Sequence, residues 1–219
     1  MIYMIIKYPR IYRIPLDNTS FKKTLTIEEA KELLDGTIIL EEKIDGGIIG
    51  LTNKHAQGRG SEIRLGETGK AFKYFNSWRT QNQFKIDKIP DNFIIYGEWM
   101  YAKHNICYDS LTDFFIAFDV YDIENKKFLG YDEKAKVINN CGFEMVPLLF
   151  IGEIKNAKDI LEFIKISHFS STETMEGIVI KNYPKQLFGK YVRREFTDDL
   201  DEYWLKKPLQ VNKLVSWQK

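Results

Sequence analysis

The chain has 219 residues and a formal net charge of +1, from 32 lysines and arginines against 31 aspartates and glutamates. Hydrophobic residues make up 44% and charged residues 29%, an ordinary composition for a globular protein that excludes disorder and collagen-like repetition. The near-zero charge also excludes a uniformly basic nucleic-acid coat, although it allows a locally basic groove. No apolar run approaches the ~20 residues of a membrane span, so no membrane partner is expected.

Targeting and redox signals are weak. The apolar stretch Met1–Ile6 is followed at once by basic residues and is too short for a signal-peptide core, so we expect an intracellular, cytoplasmic location. Cys107 and Cys141 form no zinc-type CxxC pair, so no metal site is expected from them.

The first predicted elements lie in the N-terminal quarter. Thr26–Leu34 is predicted to be a helix that begins with a Thr-x-x-Glu capping box and ends at Asp35-Gly36. Thr37–Glu42 and Ile48–Thr52 are predicted to be strands because they are rich in β-branched and aliphatic residues. The Asp45-Gly46-Gly47 sequence between them indicates a turn, so the second strand is expected to return as the other half of a hairpin.

The rest of the chain continues this alternation. Gly58–Arg64 is predicted to be a loop and hairpin. The further predicted strands are Asn92–Met100, Phe114–Tyr121, Phe143–Phe150, Gly177–Lys181 and Gln186–Arg194. The further predicted helices are Lys70–Arg79, Asp132–Asn140, Ala157–Ile166 and Leu200–Leu205. Strands outnumber helices without a regular βαβ order, which favours an α+β fold of mainly antiparallel sheets with flanking helices.

Length favours one domain over residues 1–219, with an N-terminal extension over 1–25 and a short helical tail over 197–219.

Three short motifs that precede residue 121 could carry chemistry. Lys43-Ile44-Asp45-Gly46 places a lysine between a strand and a glycine turn, where it either projects into a cleft or simply ends a strand. Glu98 ends a strongly apolar strand, and burying it is costly unless it is paired. It would accept a hydrogen bond from a ribose hydroxyl or bind a metal, or else lie in solvent.

The third motif is the strand around Phe118, whose ring could stack on a base or belong to the core. Period-two alternation predicts that Phe118 and Ile116 lie on one face of this strand and Asp119 on the other.

Two more motifs follow in the second half. Glu176 and Lys181 flank an apolar strand, and Gly177 permits close backbone approach. Lys190 and Arg193 lie in a basic strand that suits phosphate. Each motif alone is compatible with a charged strand end.

Together, in this order, the five motifs resemble the covalent nucleotidyltransferase superfamily of ATP-dependent RNA and DNA ligases and mRNA-capping guanylyltransferases. The resemblance is closer to the RNA-ligase-domain family of bacteria and phages and extends over about Glu41–Leu214. The runs that carry it are Tyr96–His104, Phe114–Asp119 and Lys190–Arg193 with Phe196.

This resemblance implies a single, ATP-grasp-like ligase adenylation domain in a bacterial or phage-infected cell. The residues after Phe196 are too few for the OB-fold domain that DNA ligases and capping enzymes usually append. The implied cofactors are ATP, with AMP covalently bound to Lys43, and Mg²⁺ or Mn²⁺. The implied partners are RNA ends or a nicked RNA duplex, and DNA-containing strands remain an alternative.

The resemblance also implies catalytic roles. Lys43 is the nucleophile that attacks the α-phosphorus of ATP, and Asp45 orients it or pairs with an arginine. An unperturbed lysine has a pKa of about 10.4, so only roughly one molecule in a few thousand is neutral at pH 7. Lys190, Lys181 and a divalent metal are expected to lower the pKa of Lys43 and to neutralise the α-phosphate. Glu176 is the expected metal ligand.

For the nucleotide, the resemblance implies that Glu98 holds the ribose and Phe118 stacks on adenine. Glu42 would select the base, and Arg59 would contact the ribose or the RNA end phosphate, with Arg64 as its rival. Many relatives have a second lysine where this chain has Val192, so either Arg193 replaces that charge or Lys190 acts alone.

Two alternative functions stay open: an ATP-dependent DNA ligase or GTP-dependent capping-type enzyme, and an inactive nucleotide-binding module. His104 and Lys103 either contact the substrate end or are ordinary loop residues.

Overall fold

The computed structural model describes residues 5–16, 23–63, 69–196 and 208–215. The predicted helix Leu200–Leu205 and the candidate residue Arg64 lie outside these ranges. Within the described ranges, no helix is long and apolar enough to cross a membrane.

The described residues form eleven strands and four α-helices. The strands are β1 (Tyr12–Arg13), β2 (Ile38–Lys43), β3 (Gly47–Leu51), β4 (Ala56–Gln57), β5 (Phe93–Trp99), β6 (Phe115–Asp122), β7 (Lys127–Phe128), β8 (Glu144–Met145), β9 (Leu148–Gly152), β10 (Gly177–Asn182) and β11 (Leu187–Val192). The helices are α1 (Ile27–Leu34), α2 (Phe75–Gln81), α3 (Gln83–Ile86) and α4 (Tyr131–Cys141), and 3₁₀ turns cover Lys70–Phe72, Ala157–Phe163 and Arg194–Phe196.

The strands form two sheets that are mainly antiparallel. The first sheet has the order β1-β11-β10-β2-β9, and the second has the order β4-β3-β5-β6-β7 with β8 beside β6. Only the β1–β11 and β6–β8 pairs among these are parallel. The predicted α+β class with mainly antiparallel sheets is therefore confirmed.

Several predicted elements are confirmed, whereas one predicted strand is two strands and two predicted helices contain 3₁₀ turns. The capping box of α1 is present, with Thr26 and Glu29 each bonded to the other's backbone amide. The strand predicted over Phe143–Phe150 is two strands instead, because Pro147 has no N–H to continue a ladder. The helices predicted over Lys70–Arg79 and Ala157–Ile166 are wrong in part, since the first begins and the second consists of 3₁₀ turns.

The hairpin predicted at Asp45-Gly46-Gly47 is wrong. Strand β2 pairs with β10 and β9, whereas β3 pairs with β4 and β5, so the chain crosses there from the first sheet to the second. Gly46 allows the crossing because a Cβ atom at this position would lie 2.7 Å from the Trp99 carbonyl oxygen and from the Met100 sulfur. Lys43, the last residue of β2, therefore lies where the two sheets meet.

An aromatic cluster fills the space between the sheets. Its buried members are Tyr8, Ile39, Ile94, Tyr96, Phe128 and Tyr183. Tyr8 comes from the N-terminal segment 5–16, which also contributes β1 to the first sheet. This part of the expected N-terminal extension thus packs against both sheets. A larger core lies against the second sheet with α2 and α4, and a smaller one lies between the first sheet and α1.

Candidate active site

Four of the candidate residues, Lys43, Glu98, Glu176 and Lys190, lie close together where the two sheets meet. Lys43 ends β2 and is paired in register with Gly177 of β10, directly after Glu176. Glu98 lies on β5 of the second sheet, and Lys190 lies on β11 of the first. Four of the five sequence motifs therefore contribute a charged group to one small region.

The Lys43 ammonium contacts one carboxylate and lies within the field of two more. Its Nζ donates a hydrogen bond to Glu176 Oε2, and its side chain is 20% exposed. Burial lowers the pKa of Lys43, but the negative charges of Glu176, Asp45 and Glu98 more than offset burial, so its pKa is raised. Acidic groups, and not the expected cations, therefore dominate the charge around this ammonium.

The two glutamates are shifted toward their neutral forms. Burial raises the pKa of Glu98 to about 8, opposed by the charge of Lys43. Burial also raises the pKa of Glu176 against the same opposing charge. Glu98 Oε2 is buried and accepts no hydrogen bond from any described residue. Because an unpaired buried oxygen is costly, this atom indicates a place where a ligand donor belongs.

A basic group faces these acids from the first sheet. Lys190 pairs in register with Arg13 of the parallel strand β1. Burial lowers the pKa of Lys190 to about 8, and the charges of Lys43, Arg13 and Arg59 add to this, against the charge of Glu176. Arg13 is not indicated by any local sequence pattern, since its position depends on pairing with a distant strand.

A loop of the second sheet holds Asp45. Its Oδ2 accepts a hydrogen bond from the Asn105 amide at 2.9 Å, and its Oδ1 lies 3.6 Å from His104 Nδ1. The Asp45 amide donates to the Tyr108 hydroxyl at 2.9 Å. Burial raises the pKa of Asp45, but His104, Lys43 and the Asn105 amide more than offset this and lower it.

Phe118 lies at an irregularity of the sheet. The register between β5 and β6 shifts between Tyr96 and Gly97, and Phe118 is the unpaired residue. The shift makes the predicted alternation wrong, because Lys181 Nζ lies both 5.4 Å from the centre of the Phe118 ring and 2.9 Å from Asp119 Oδ2. Phe118 and Asp119 therefore reach the same side of the sheet.

Lys181 belongs to a buried four-charge cluster, which we define as Glu41, Asp119, Lys134 and Lys181. Lys181 Nζ lies 2.6 Å from Glu41 Oε2, and Lys134 Nζ bonds the other oxygen of the same glutamate. All four side chains are at most 1% exposed. Lys181 is therefore paired inside this cluster. We expected it to lie beside Lys43, and the structure does not place it there.

Glu42 is also separated from the other candidates. Its carboxylate accepts hydrogen bonds from the Ser167 hydroxyl and the His168 amide. Successive side chains of a strand point to opposite faces, so Glu41 rather than Glu42 shares the face of Lys43. Alternation in the sequence could have indicated this choice.

Arg193 is bonded to groups other than the candidate acids. Its guanidinium donates to the carbonyl oxygens of Met175 and Thr174 and pairs with Glu195. Lys190 is therefore the cation that β11 supplies to the cleft. Arg59 is exposed, although its charge reaches Lys190 and Glu98.

The acids fit a sparsely held divalent ion. Among the described residues, no group of three or more His, Cys, Asp or Glu side chains is arranged to hold a metal. Mg²⁺ commonly uses one or two carboxylates and completes its shell with water and phosphate oxygens. Glu176, with Glu98 nearby, matches this need for few protein ligands.

The class of protein follows from a comparison with protein families. The model of the RNA ligase family matches residues 36–198. This match covers most of the chain, which therefore belongs to the RNA ligase family.

Solved structures show the same fold. Naegleria gruberi RNA ligase with PPi has a TM-score of 0.66 at 21% identity, covering 88% of this chain and 57% of that one. A mutant of that enzyme with ATP and Mn has a TM-score of 0.64 at 19% identity, covering 89% of this chain and 58% of that one. The chain thus spans less than two thirds of the Naegleria structures. The comparison with curated proteins finds no match.

Proposed function

We propose that this chain is an ATP-dependent RNA ligase that joins a 5′-phosphate end to a 3′-hydroxyl end through a lysine–AMP intermediate. The observation that carries the proposal is the contact of Lys43 Nζ with Glu176, within the charge field of Glu98, Asp45 and Lys190. Family membership supports the ligase class. The Naegleria structures with ATP, Mn and PPi support ATP as the nucleotide.

In the first step, neutral Lys43 Nζ attacks the α-phosphorus of ATP. The N–P bond forms, the bond from the α-phosphorus to the bridging oxygen breaks, and pyrophosphate leaves. The Lys43 ammonium first has to leave Glu176 and lose a proton to solvent, because only the free amine has a lone pair. After the attack, the amine nitrogen loses a second proton to solvent as the neutral phosphoramidate forms. When bound at Glu176, Mg²⁺ or Mn²⁺ would supply positive charge that neutralises phosphate and favours the neutral amine.

The remaining groups hold the nucleotide. Lys190, with Arg13 and Arg59 near it, neutralises phosphate charge. Glu98 Oε2, the unpaired acceptor, takes a hydrogen bond from a ribose hydroxyl. Phe118 offers a partly exposed ring for stacking on adenine.

Two transfers complete the reaction. An oxygen of the RNA 5′-phosphate attacks the α-phosphorus of the adduct, the bond to Lys43 breaks, and AMP is linked to the RNA end through a pyrophosphate bond. The 3′-hydroxyl of the other end then attacks the 5′-phosphorus, which forms the phosphodiester and releases AMP.

The test is covalent labelling with α-³²P-ATP and Mg²⁺, followed by a denaturing gel. We expect labelled protein from wild type and none from Lys43→Ala. Lys54→Ala is the matched control, because Lys54 is an exposed lysine paired with Asp91, and it should label like wild type. The protein is first treated with pyrophosphate to remove adduct carried from expression, and the pyrophosphate is then removed.

Each other outcome changes the assignment. Label from GTP alone would indicate capping chemistry, and label that persists in Lys43→Ala would reject Lys43 as nucleophile. Nucleotide binding without any label would indicate an inactive binding module. Sealing is then measured on nicked and single-stranded RNA and on matching DNA, with 5′-dephosphorylated strands as negative controls.

A further inference from the structure

A short C-terminal segment lies against the loop that holds Asp45. We call residues 208–215 the C-terminal strap and residues 101–111 the Asp45 loop. The strap lies outside the residues 36–198 that match the family. It pairs with the loop at both ends, Val211 with Ala102 and Leu214 with Leu111. Further backbone hydrogen bonds join Lys103 N to Gln210 O, Lys213 N to Tyr108 O and Leu111 N to Lys213 O.

Asn212 is the one strap residue in the described range 208–215 whose side chain is buried, at 2% exposure. Its Nδ2 donates to Met100 O at 2.7 Å, and its Oδ1 accepts from Tyr108 N at 3.0 Å. The backbone N–H of Asn212 donates to the Tyr101 carbonyl oxygen at 3.0 Å. One primary amide thus joins the two ends of the 100–108 backbone, and its donors and acceptor match the groups it meets.

The backbone between those two anchor points is the part that contacts Asp45. Asn105 supplies the amide on Asp45 Oδ2, and His104 lies beside Oδ1. Tyr108, whose amide Asn212 holds, also accepts the hydrogen bond from the Asp45 amide. Asn212 and Asp45 are therefore connected through the Asp45 loop, since Tyr108 bonds both residues and Asn105 bonds Asp45.

We propose that Asn212 is a positioning residue for the adenylylation of Lys43, acting through the Asp45 loop on Asp45. The inference rests on the proposed function. The charge of Asp45 acts on Lys43, so a displaced loop would change the surroundings of the nucleophile. Removing the amide would leave the buried Tyr108 N–H and Met100 C=O without their partner, and the loop would move to find others.

The test compares wild type, Asn212→Ala and the control Lys213→Ala, which alters an exposed neighbour on the same strap. The rate of Lys43–AMP formation is measured against ATP concentration. For Asn212→Ala we expect a maximal rate about tenfold to a hundredfold lower, the cost of misplacing a catalytic group by about 1 Å. We expect KM for ATP to change less than about threefold, because Glu98 and Phe118 lie on β5 and β6 and not on the Asp45 loop.

Hydrogen exchange provides a readout that does not depend on activity. The Asn105 amide should lose protection in Asn212→Ala, and also in Asp45→Ala, which identifies its acceptor. Amides of β5 and β10 should keep wild-type protection in Asn212→Ala. If Asn212→Ala does not fold, Asn212→Ser, which keeps one donor and one acceptor, takes its place.

The outcomes separate the two proposals. A wild type that forms no adduct overturns the proposed function. A wild-type rate in Asn212→Ala, or a loss of protection spread equally over β5 and β10, overturns only the role of Asn212. Reduced rate, unchanged KM and local loss at Asn105 support both.

Discussion

At the scale of single residues, the site is defined by opposing pKa shifts. Acidic neighbours raise the pKa of Lys43, whereas burial and cationic neighbours lower the pKa of Lys190 to about 8. The nucleotide-free cleft therefore keeps the proposed nucleophile charged, and its proposed phosphate ligand begins to lose its proton just above neutral pH. Phosphate binding favours protonated Lys190, so its affinity should depend on pH.

We predict that affinity for an ATP analogue with an uncleavable α–β bond falls as pH rises above about 8. Below this pH, Lys190 is already protonated and nothing is gained by further acidification. Above it, binding has to take up a proton, which costs up to a tenfold loss of affinity per pH unit. Isothermal titration calorimetry with Mg²⁺ between pH 7 and 9.5 measures the slope.

Lys190→Arg is the control, since a guanidinium stays charged throughout this range. The pKa of Glu98 is also about 8, so the pH dependence of this control reports the part due to that carboxyl. The affinity of the wild type should fall more steeply with pH than that of Lys190→Arg. Equal slopes in the two proteins would show that Lys190 does not titrate against the phosphates.

Much of the site could be predicted residue by residue from sequence. Lys43, Glu98 and Glu176 lie at or beside the ends of apolar strands, where a charged group is cheaper to place than in the strand interior. Lys190 lies inside β11, and the basic character of that strand is what indicated it. The exception, Lys181, has the same sequence signature, but buried partners from other elements hold it elsewhere. Such long-range pairing has no local signature.

At the scale of elements, patterns predicted where strands lie better than what they pair with. The hairpin signal after β2 marked where that strand ends but not what the next strand pairs with, because the chain crosses at Gly46 and β3 pairs with β5. The bulge at Phe118 had no signal either, since register depends on the partner strand. Helix ends were more predictable, as the cap of α1 and Gly142 at the end of α4 show, because caps are local.

We predict that Gly177→Ala disturbs the pairing of β10 with β11. A Cβ atom there would lie 2.0 Å from the Tyr191 carbonyl oxygen, which is backbone and has no rotamer to yield. We expect the free energy of unfolding to fall by about 1–3 kcal/mol, the usual cost of overpacking. Adenylylation should slow as well, because β11 carries Lys190 and would move relative to Lys43. Urea unfolding and the labelling assay measure the two effects.

Gly69→Ala is the matched control, since a Cβ atom there meets nothing within 4 Å. It should leave both stability and labelling unchanged. Wild-type stability in Gly177→Ala would show that the two strands separate at little cost.

At the scale of the whole molecule, the four-charge cluster connects parts that the sequence separates widely. Glu41 and Lys181 belong to the first sheet, Asp119 to the second, and Lys134 to α4. Two tyrosine hydroxyls, of Tyr8 and Tyr183, also donate to Asp119 at 2.6 Å. With two acids and two lysines, the cluster is formally neutral, and it joins both walls of the cleft.

We predict that Lys134→Met destabilises the protein by about 3–5 kcal/mol, since it leaves a buried cluster with one excess negative charge. The double variant Glu41→Gln with Lys134→Met restores neutrality, so its loss should be clearly smaller than the sum of the single losses. Urea unfolding measures all three.

Lys136→Met, on the exposed side of α4, is the control and should stay close to wild type. Strictly additive losses in the double variant would mean that Glu41 and Lys134 do not stabilise each other.

The contacts of the N-terminal segment with late parts of the chain affect how the protein folds during synthesis. Tyr12 pairs with Gly189, and Tyr8 fills a cluster completed by Tyr183. Tyr8 and Tyr12 therefore cannot complete their native contacts until Tyr183 and β11 have left the ribosome. Native pairing of this kind is slow and exposes apolar surface meanwhile. Assembly of the cleft is thus a late event, and nascent chains stalled before β11 should be sensitive to protease and in need of chaperones.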